Sequence, residues 1–463
     1  MKILLIVPRS LNPKQTYREY PLGAGILATA LGRQGHEVLL YDQGVEGGDD
    51  EQVRERVREF GPGVVGFSVI TPSYPVARRQ IQAIREEFPE TRIVAGGIHA
   101  SLFPEDLLAD GADAVVIGAG RQAMIALVER IEQGRSWAEV PGVAWRDGMG
   151  RAVLPAERGR RWSEEASEIV DRDVYNLPLY THHSMQASIG CPYRCRFCCN
   201  FAGKVLQEGV LVRPIDELVE EMRYLVARYG AGRIFFVDDL FLVTGERVRE
   251  FCRRLAAEGL PVEWIAQMRA DAIDPGLAEA MAEANCRRIS FGVEAGSEAI
   301  LRRAGKGIGK EAIRRGIRAA RAAGIRVKTG WVYGLPGTLA EQYEAIDFMR
   351  ELRPHEISIH QLIPFPGTEY YERPAAHGLR IRDAKDFSSF CFGGLGDNIS
   401  YDYLTRDELM ALLERTVAAL EAEGYTSSDR ANGADDYIFS TPLNAMSMPV
   451  FRGAVEERLW SST

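Results

Sequence analysis

Over the first 135 residues, short apolar runs alternate with segments whose apolar positions recur every three to four residues. The runs at 3–7, 37–41, 64–70, 92–95 and 114–117 are apolar nearly throughout, as strands buried on both faces are. Between and after them, residues 22–33, 50–60, 74–88, 104–109 and 122–132 follow a helical period. In the first of these helices Leu22, Ile26, Leu27, Ala30 and Leu31 share a face, and Gly35 stops it. This alternation predicts an α/β domain over 1–135, a doubly wound, Rossmann-like parallel sheet.

A second alternation fills residues 184–370. Strand patterns at 184–189, 233–237, 263–268, 288–293, 326–333 and 356–363 are separated by helical patterns at 214–229, 247–258, 275–283, 310–323 and 340–352. Six strands in this order predict a curved parallel sheet, a partial (β/α)6 barrel. Residues 136–183 read as a connector, with a small hairpin around Asp147-Gly148 followed by a charged, aperiodic linker from 158 to 173. Beyond 370, one amphipathic helix over 404–423 stands amid Ser, Asn and Gly, so 371–463 is expected to be small and mainly helical.

Composition narrows the function classes. At 463 residues the chain is too long for one ordinary core. A net charge of −9 argues against a polyanionic partner, and the arginines at 314, 315, 318 and 321 suit a solvated helix face, so nucleic acid is not expected. Residues 1–8 are apolar for too short a stretch to be a signal peptide, and no apolar run reaches the ~18 residues a membrane span needs. Seven cysteines, four of them within 191–199, point to metal binding rather than disulfides and to a reducing, cytoplasmic setting.

The chemistry starts at Cys191-Pro-Tyr-Arg-Cys195-Arg-Phe-Cys198, a C-x3-C-x2-C loop that leaves a strand through Gly190. Thiolates at this density suit zinc or an iron–sulfur cluster. Cys199, His182 or His183 offers a fourth ligand for a structural zinc site. Three ligands alone would leave one iron of a four-iron cluster open to a small molecule. Polar and glycine-rich residues then follow each later strand: Asp238-Asp239, Arg269, Glu294, Gly334-Leu-Pro-Gly337 and Pro364-Phe-Pro-Gly367-Thr368. In a β/α barrel that is where an active site belongs.

The cysteine spacing, with Phe197 before the third thiol, resembles the signature of the radical S-adenosylmethionine (SAM) superfamily. The resemblance implies a 4Fe-4S cluster on Cys191, Cys195 and Cys198, and SAM on its open iron, cleaved by one electron to a 5′-deoxyadenosyl radical. It implies an electron donor such as flavodoxin or ferredoxin, and SAM contacts from Phe197, Asp239, Arg269, Glu294, Gly334 and Gly337. Asp239 and Glu294 can accept from hydroxyls or the amine, and Arg269 can pair with the carboxylate. Glu294 lies in Gly292-Val-Glu-Ala-Gly296, ahead of the family-like Leu301 and Lys306.

The first domain resembles the cobalamin-binding domain fused to many such enzymes, through Pro21-Leu-Gly23, Val65-Gly66-Phe-Ser68, Gly96-Gly97 with His99, and Val116-Ile117-Gly118. Ser68, Thr71, Gly96, Gly97, His99 and Gly118 fall at strand ends, where such sheets bind ligands. No histidine lies in 8–20, which implies cobalamin without a histidine ligand from that loop. The family's Gly-Glu-Gly-Glu is replaced by Gly118-Ala-Gly120-Arg121, so a scaffold that has lost its ligand stays open.

The expected function is a radical SAM enzyme acting on a small-molecule substrate, with cobalamin-dependent methyl transfer to carbon first. Radical rearrangement or cyclisation, transfer of another SAM fragment such as aminocarboxypropyl, and a zinc-stabilised binding protein are the alternatives. Residues 371–463 are expected to cap the substrate, with Tyr401, Tyr403 or Cys391 as contacts; for Cys391 a buried structural thiol is expected ahead of a radical or metal role.

Overall fold

Strand β1 (Lys2–Val7) runs through the first sheet with Ile3, Leu4 and Ile6 fully buried. It pairs in parallel with β2 (Glu37–Asp42) and β3 (Val64–Ser68); β4 (Arg92–Gly96) and β5 (Ala114–Val116) continue the parallel ladder. The helices follow from local signals. Helix Asp50–Phe60 opens on an Asp49–Gln52 capping box and closes on Gly61 in the left-handed region. The computed structural model describes residues 1–11, 20–155, 169–180, 182–200, 209–391, 398–428 and 438–440, in two units, Met1–Ser184 and Met185–Thr463.

The expected connector hairpin does not stand apart. β6 (Val143–Arg146) and β7 (Ala152–Val153) join the first sheet antiparallel to β5, giving the order β2-β1-β3-β4-β5-β6-β7. The physical reason is that β5 would otherwise be a bare edge of a parallel sheet. Val140, Val143, Val170 and Tyr175, all from the expected connector, pack in that unit's core. Residues 156–168 of the expected linker lie outside the described residues.

The second unit contains β8 (His183–Met185), the antiparallel pair β9 (Ser188–Ile189) and β10 (Leu211–Val212), then β11 (Arg233–Phe236), β12 (Glu263–Met268), β13 (Cys286–Glu294), β14 (Arg326–Tyr333) and β15 (Glu356–Gln361). After them come the antiparallel pair β16 (Leu379–Ile381) and β17 (Ile399–Tyr401), helix Arg406–Ala422, β18 (Thr426–Ser427) and β19 (Ile438–Ser440). The main sheet has eight strands in the order β18-β19-β15-β14-β13-β12-β11-β8. Six were expected; β18 and β19 come from 371–463, which is therefore less purely helical than its composition suggested. β19 pairs in parallel with β15, supplying the partner β15 would lack.

The two faces of this sheet differ. Outward residues pack on helices: Trp331 stands edge-on to Phe348 at 6.1 Å, and the Tyr333 hydroxyl meets Thr416 Oγ1 at 2.8 Å. Phe236, Phe241, Phe251 and Trp264 form one aromatic cluster, and Trp264 donates to Ala284 O at 2.6 Å. On the inner face Gln267 is exposed although its strand has a neighbour on each side. At Gln267 that face is therefore not covered by a packed layer.

Close helix contacts make some glycines obligatory. A Cβ at Gly296 would lie 2.5 Å from Ala345 Cα, whereas one at Gly330 on the inner face would meet nothing closer than 3.9 Å. Gly296→Ala is expected to cost about 1–3 kcal/mol by overpacking, and Gly330→Ala to leave the unfolding midpoint near wild type. Calorimetry of both variants checks this; equal melting temperatures would contradict the packing.

Candidate cofactor and active site

The cysteine loop is fixed from three sides. Before it, Asp238, fully buried at the end of β11, accepts from the Ala187 N–H at 3.0 Å and the Ser188 hydroxyl at 2.6 Å, and from the Ser188 N–H. Burial raises its carboxyl pKa to about 7, against the pull of these donors. Within the loop, the Asn200 side chain closes on Cys191: its Oδ1 accepts from the Cys191 N–H at 3.3 Å and its amide donates to Cys191 O. Beside it, the Arg196 N–H donates to Ala304 O at 2.9 Å, the Arg196 guanidinium to Arg303 O at 2.8 Å, and the Glu369 N–H to Arg196 O at 3.1 Å.

Arg269, expected to pair with a ligand carboxylate, is already engaged. Its guanidinium binds both Asp271 oxygens, at 2.9 and 3.0 Å, and Lys306 O at 2.9 Å, and it lies 3.6 Å from the centre of the Tyr193 ring inside the loop. Burial opposes its charge, but Asp271 outweighs burial and raises its pKa. As placed, Arg269 clamps the loop.

Glu294 ends β13 in a conformation few non-glycine residues adopt, with φ +70° at a break in the β13–β14 register. Its carboxylate lies over Gly292, where a Cβ would collide with it, and pairs with Lys306 Nζ at 2.8 Å. Both side chains are largely buried. Burial opposes the Lys306 charge, but Glu294 and the nearby Cys195 outweigh it and raise the pKa. Asp239 is accessible yet ringed by protein atoms, which raises its carboxyl. Phe197 is half-buried on the loop.

The glycines after β14 serve packing. A Cβ at Gly337 would lie 2.7 Å from Ile300, and one at Gly334 3.1 Å from the Tyr401 ring. The tail residues expected to touch substrate are turned to the same work. The Tyr401 hydroxyl donates to Leu362 O at 2.5 Å, Tyr403 to Gly334 O at 2.8 Å, and Cys391, buried, to Ser388 O at 3.3 Å. Cys391 is the buried structural thiol expected of it, and Tyr401 and Tyr403 spend their hydroxyls on backbone carbonyls, which satisfy a polar group drawn into the fold.

In the first unit the expected ligand residues sit at the carboxyl ends of β3, β4 and β5. Gly97, at φ +100°, lets the chain cross so closely that a Cβ would stand 2.7 Å from Val69 O. Gly96 ends β4, Ser68 ends β3, and Gly118 donates its N–H to Ser101 Oγ at 3.0 Å. His99 is corrected as a ligand contact. It is fully buried, bonded to Thr71 Oγ1 at 3.2 Å and stacked 4.2 Å from Tyr74, and burial lowers its pKa to about 3. Thr71, buried as its partner, is drawn inward with it. Sequence reading missed the neighbours: Ile70 and Ile98 are 43% and 38% exposed, large apolar groups left at the strand ends on either side of this crossing. The signal was present in their flanking glycine and hydroxyl residues, but Ile70 reads as the last residue of a strand.

Residues 11–128 match the B12 binding domain family, and residues 185–349 match the Radical SAM superfamily. The chain carries a B12-binding domain followed by a radical SAM domain. The enzyme is 27% identical over 393 residues to an uncharacterized methyltransferase of Pyrococcus horikoshii, covering 82% of this chain and 84% of that one. It is 28% identical over 370 residues to the anaerobic magnesium-protoporphyrin IX monomethyl ester cyclase of Rubrivivax gelatinosus, covering 76% of this chain and 66%, about two thirds, of that one. Its fold is that of the radical SAM methyltransferase TsrM from Kitasatospora setae, solved with cobalamin and a [4Fe-4S] cluster, at TM-score 0.73, 21% identity and 99% coverage of each chain.

The enzyme's cofactors are accordingly a 4Fe-4S cluster, SAM and cobalamin, and its residues fit them. Three thiols on one anchored loop at the strand ends are the soft donor set a cluster needs. As placed they do not converge: among the described residues no three His, Cys, Asp or Glu side chains stand together in metal-binding reach. His183, weighed as a zinc ligand, stacks on Tyr20 at 5.6 Å. Exposed Ile70 and Ile98 beside a glycine crossing are apolar groups of the kind a corrin face would need, and the His99 imidazole is not accessible. Among the described residues no helix is long and apolar enough to cross a membrane.

His360, on the inner face of β15, bonds Ser358 Oγ at 3.0 Å. Burial, then the charge of Lys328, lowers its pKa to about 4. A histidine lowered in the folded state binds its proton only below about 4, while the unfolded chain binds it below ~6.5. Its contribution to stability is therefore full above pH 6.5 and is lost as pH falls towards 4. Denaturant unfolding of wild type and His360→Gln across this window should show the smaller pH slope in the variant; equal slopes would contradict the burial of a neutral imidazole.

Proposed function

We propose that this enzyme methylates a carbon of a small-molecule substrate. The observation that carries the reading is one chain holding both an apolar, glycine-crossed B12-binding sheet and a three-cysteine radical SAM module. A methyltransferase relative aligned over 82% of the chain supports it. When bound, the cluster and SAM supply a carbon-centred oxidant and cobalamin a methyl carrier.

The chain's own residues supply placement. Cys191, Cys195 and Cys198 hold the cluster, with Asn200 and Arg269 as positioning residues for their loop. Asp239 and Glu294 face the SAM amine and ribose, Glu294 held in place by Lys306, and Phe197 packs beside them. Gly334 and Gly337 act one step back, by letting Tyr401 and Ile300 brace the strand-end loops. Ser68, Gly96, Gly97 and Gly118, with Ile70 and Ile98, form the cobalamin seat, and His99 with Thr71 braces it from below. In this reading residues 1–135 are the cobalamin domain and 184–370 the SAM module. An acidic one-electron donor such as flavodoxin or ferredoxin supplies the reducing equivalent in a cytoplasmic setting.

The test is anaerobic reconstitution with cobalamin, then turnover of SAM carrying a trideuterated methyl group over candidate substrates, read by mass. Product carrying the label, with 5′-deoxyadenosine, is the expected result, and Cys195→Ser should abolish both together with bound iron. The cyclase relative sets the alternative outcome: 5′-deoxyadenosine with an unlabelled, rearranged product would replace methyl transfer by cyclisation.

A further inference from the structure

After β15 the chain turns through Pro364-Phe-Pro-Gly367-Thr368, and this turn sets one side chain against the cysteine loop. Gly367 takes φ +84°. Thr368 caps the short helix Glu369–Glu372, its Oγ1 donating to Phe365 O at 2.7 Å and accepting from the Tyr371 N–H at 3.2 Å. The Glu369 N–H is spent outside the helix, on Arg196 O at 3.1 Å, one residue beyond Cys195. Tyr370 comes next. It is fully buried, with its ring edge-on to His377 at 4.9 Å.

The Tyr370 hydroxyl is buried, and among the described residues it has no hydrogen-bond partner. Buried hydroxyls are seldom left so. Tyr401 and Tyr403, in the same unit, both reach backbone carbonyls. Burial raises the Tyr370 pKa most; of the charges that reach it, Arg196 and Arg303 lower it, and Glu369 and Cys195 raise it. The hydroxyl thus stays protonated, a donor facing a short choice of acceptors. The two guanidinium groups can only donate. The Glu369 carboxylate is already turned to Arg373 at 2.9 Å and His377 at 3.0 Å. The sulfur of Cys195, itself buried, remains. A thiol is a weak acceptor, whereas a thiolate bound to iron carries the negative charge that makes a better one.

We propose that Tyr370 donates a hydrogen bond to the Cys195 sulfur of the bound cluster and so sets the cluster's reduction potential. An added electron spreads onto the sulfurs, so the bond is stronger in the reduced state and raises the potential. The assignment rests on the three-cysteine cluster of the proposed function, and it adds a tuning residue from outside the loop.

The test compares the full chain, reconstituted anaerobically with its cluster, with Tyr370→Phe, which keeps the ring and removes the hydroxyl. Each is titrated with titanium(III) citrate, one electron entering each cluster, and the reduced cluster is read by EPR. Bound iron is expected to be equal in the two. At the potential that half-reduces wild type, the ratio of reduced to oxidised cluster in the variant should fall about tenfold, the scale of a hydrogen bond to a charged group. That is a downward shift of about 59 mV for one electron. A ring that only packs would leave the potential unmoved. A second measurement leaves residue 370 intact. Tyrosine labelled with 13C at Cζ should give hyperfine coupling to the reduced cluster in wild type, and also in Tyr193→Phe, which removes the tyrosine of the loop itself. An unmoved or raised potential, loss of iron from Tyr370→Phe, or absence of that coupling would each overturn the proposal. Wild type that holds no iron defeats the cluster itself, while full iron with an unmoved potential defeats only the Tyr370 bond.

Discussion

A loop of three thiols has no stiffness of its own, and the rest of the site depends on what holds it. Here the holding is ionic and buried: Glu294 on Lys306, Lys306 O on Arg269, Arg269 on Tyr193. Buried charges of this kind are tolerated only in pairs with their hydrogen bonds made. Each member is therefore committed to the next. The strained backbone at Glu294 belongs to the same chain of dependence, since the register break turns that carboxylate back over Gly292 toward its lysine.

The second unit solves an opposed pair of demands. Its outer face is packed as tightly as any core, down to glycines that no other residue can replace. On its inner face several polar groups pair with one another. Arg288 and Arg326 share Glu356, Ser440 bonds Ser358, and Ser358 bonds His360. β18 and β19 extend the sheet beyond β15 and supply its ladder pairs on that side. The tyrosines at 401 and 403 strap the loops after β15 and β14 through Leu362 O and Gly334 O.

Much of this was legible from the chain. The two alternations of strand and helix, the cysteine spacing and the polar residues after each strand follow from periodicities that burial imposes. What was not legible shares one cause: sequence shows which residues end a strand, not which way they turn. His99 and Thr71 read as a ligand-facing pair but bond each other inward, while Ile70 and Ile98 turn out. Arg269 reads as a free cation, but Asp271, two residues on, takes it. Tyr401 and Tyr403 read as substrate contacts, and their hydroxyls cap backbone carbonyls. The β6–β7 hairpin was legible but not its place beside β5; β18 and β19 are two and three residues long, too short to show a period.

The central claim is that the anchored loop presents a cluster with one iron free for SAM. Electron–nuclear double resonance on the reduced enzyme, with SAM labelled by 15N at its amine and 17O at its carboxylate, tests it most directly. The account predicts hyperfine coupling to both labels, present in wild type and absent in Cys195→Ser. An iron-free protein with one tightly held zinc, or a cluster that shows no coupling to either label, would contradict it.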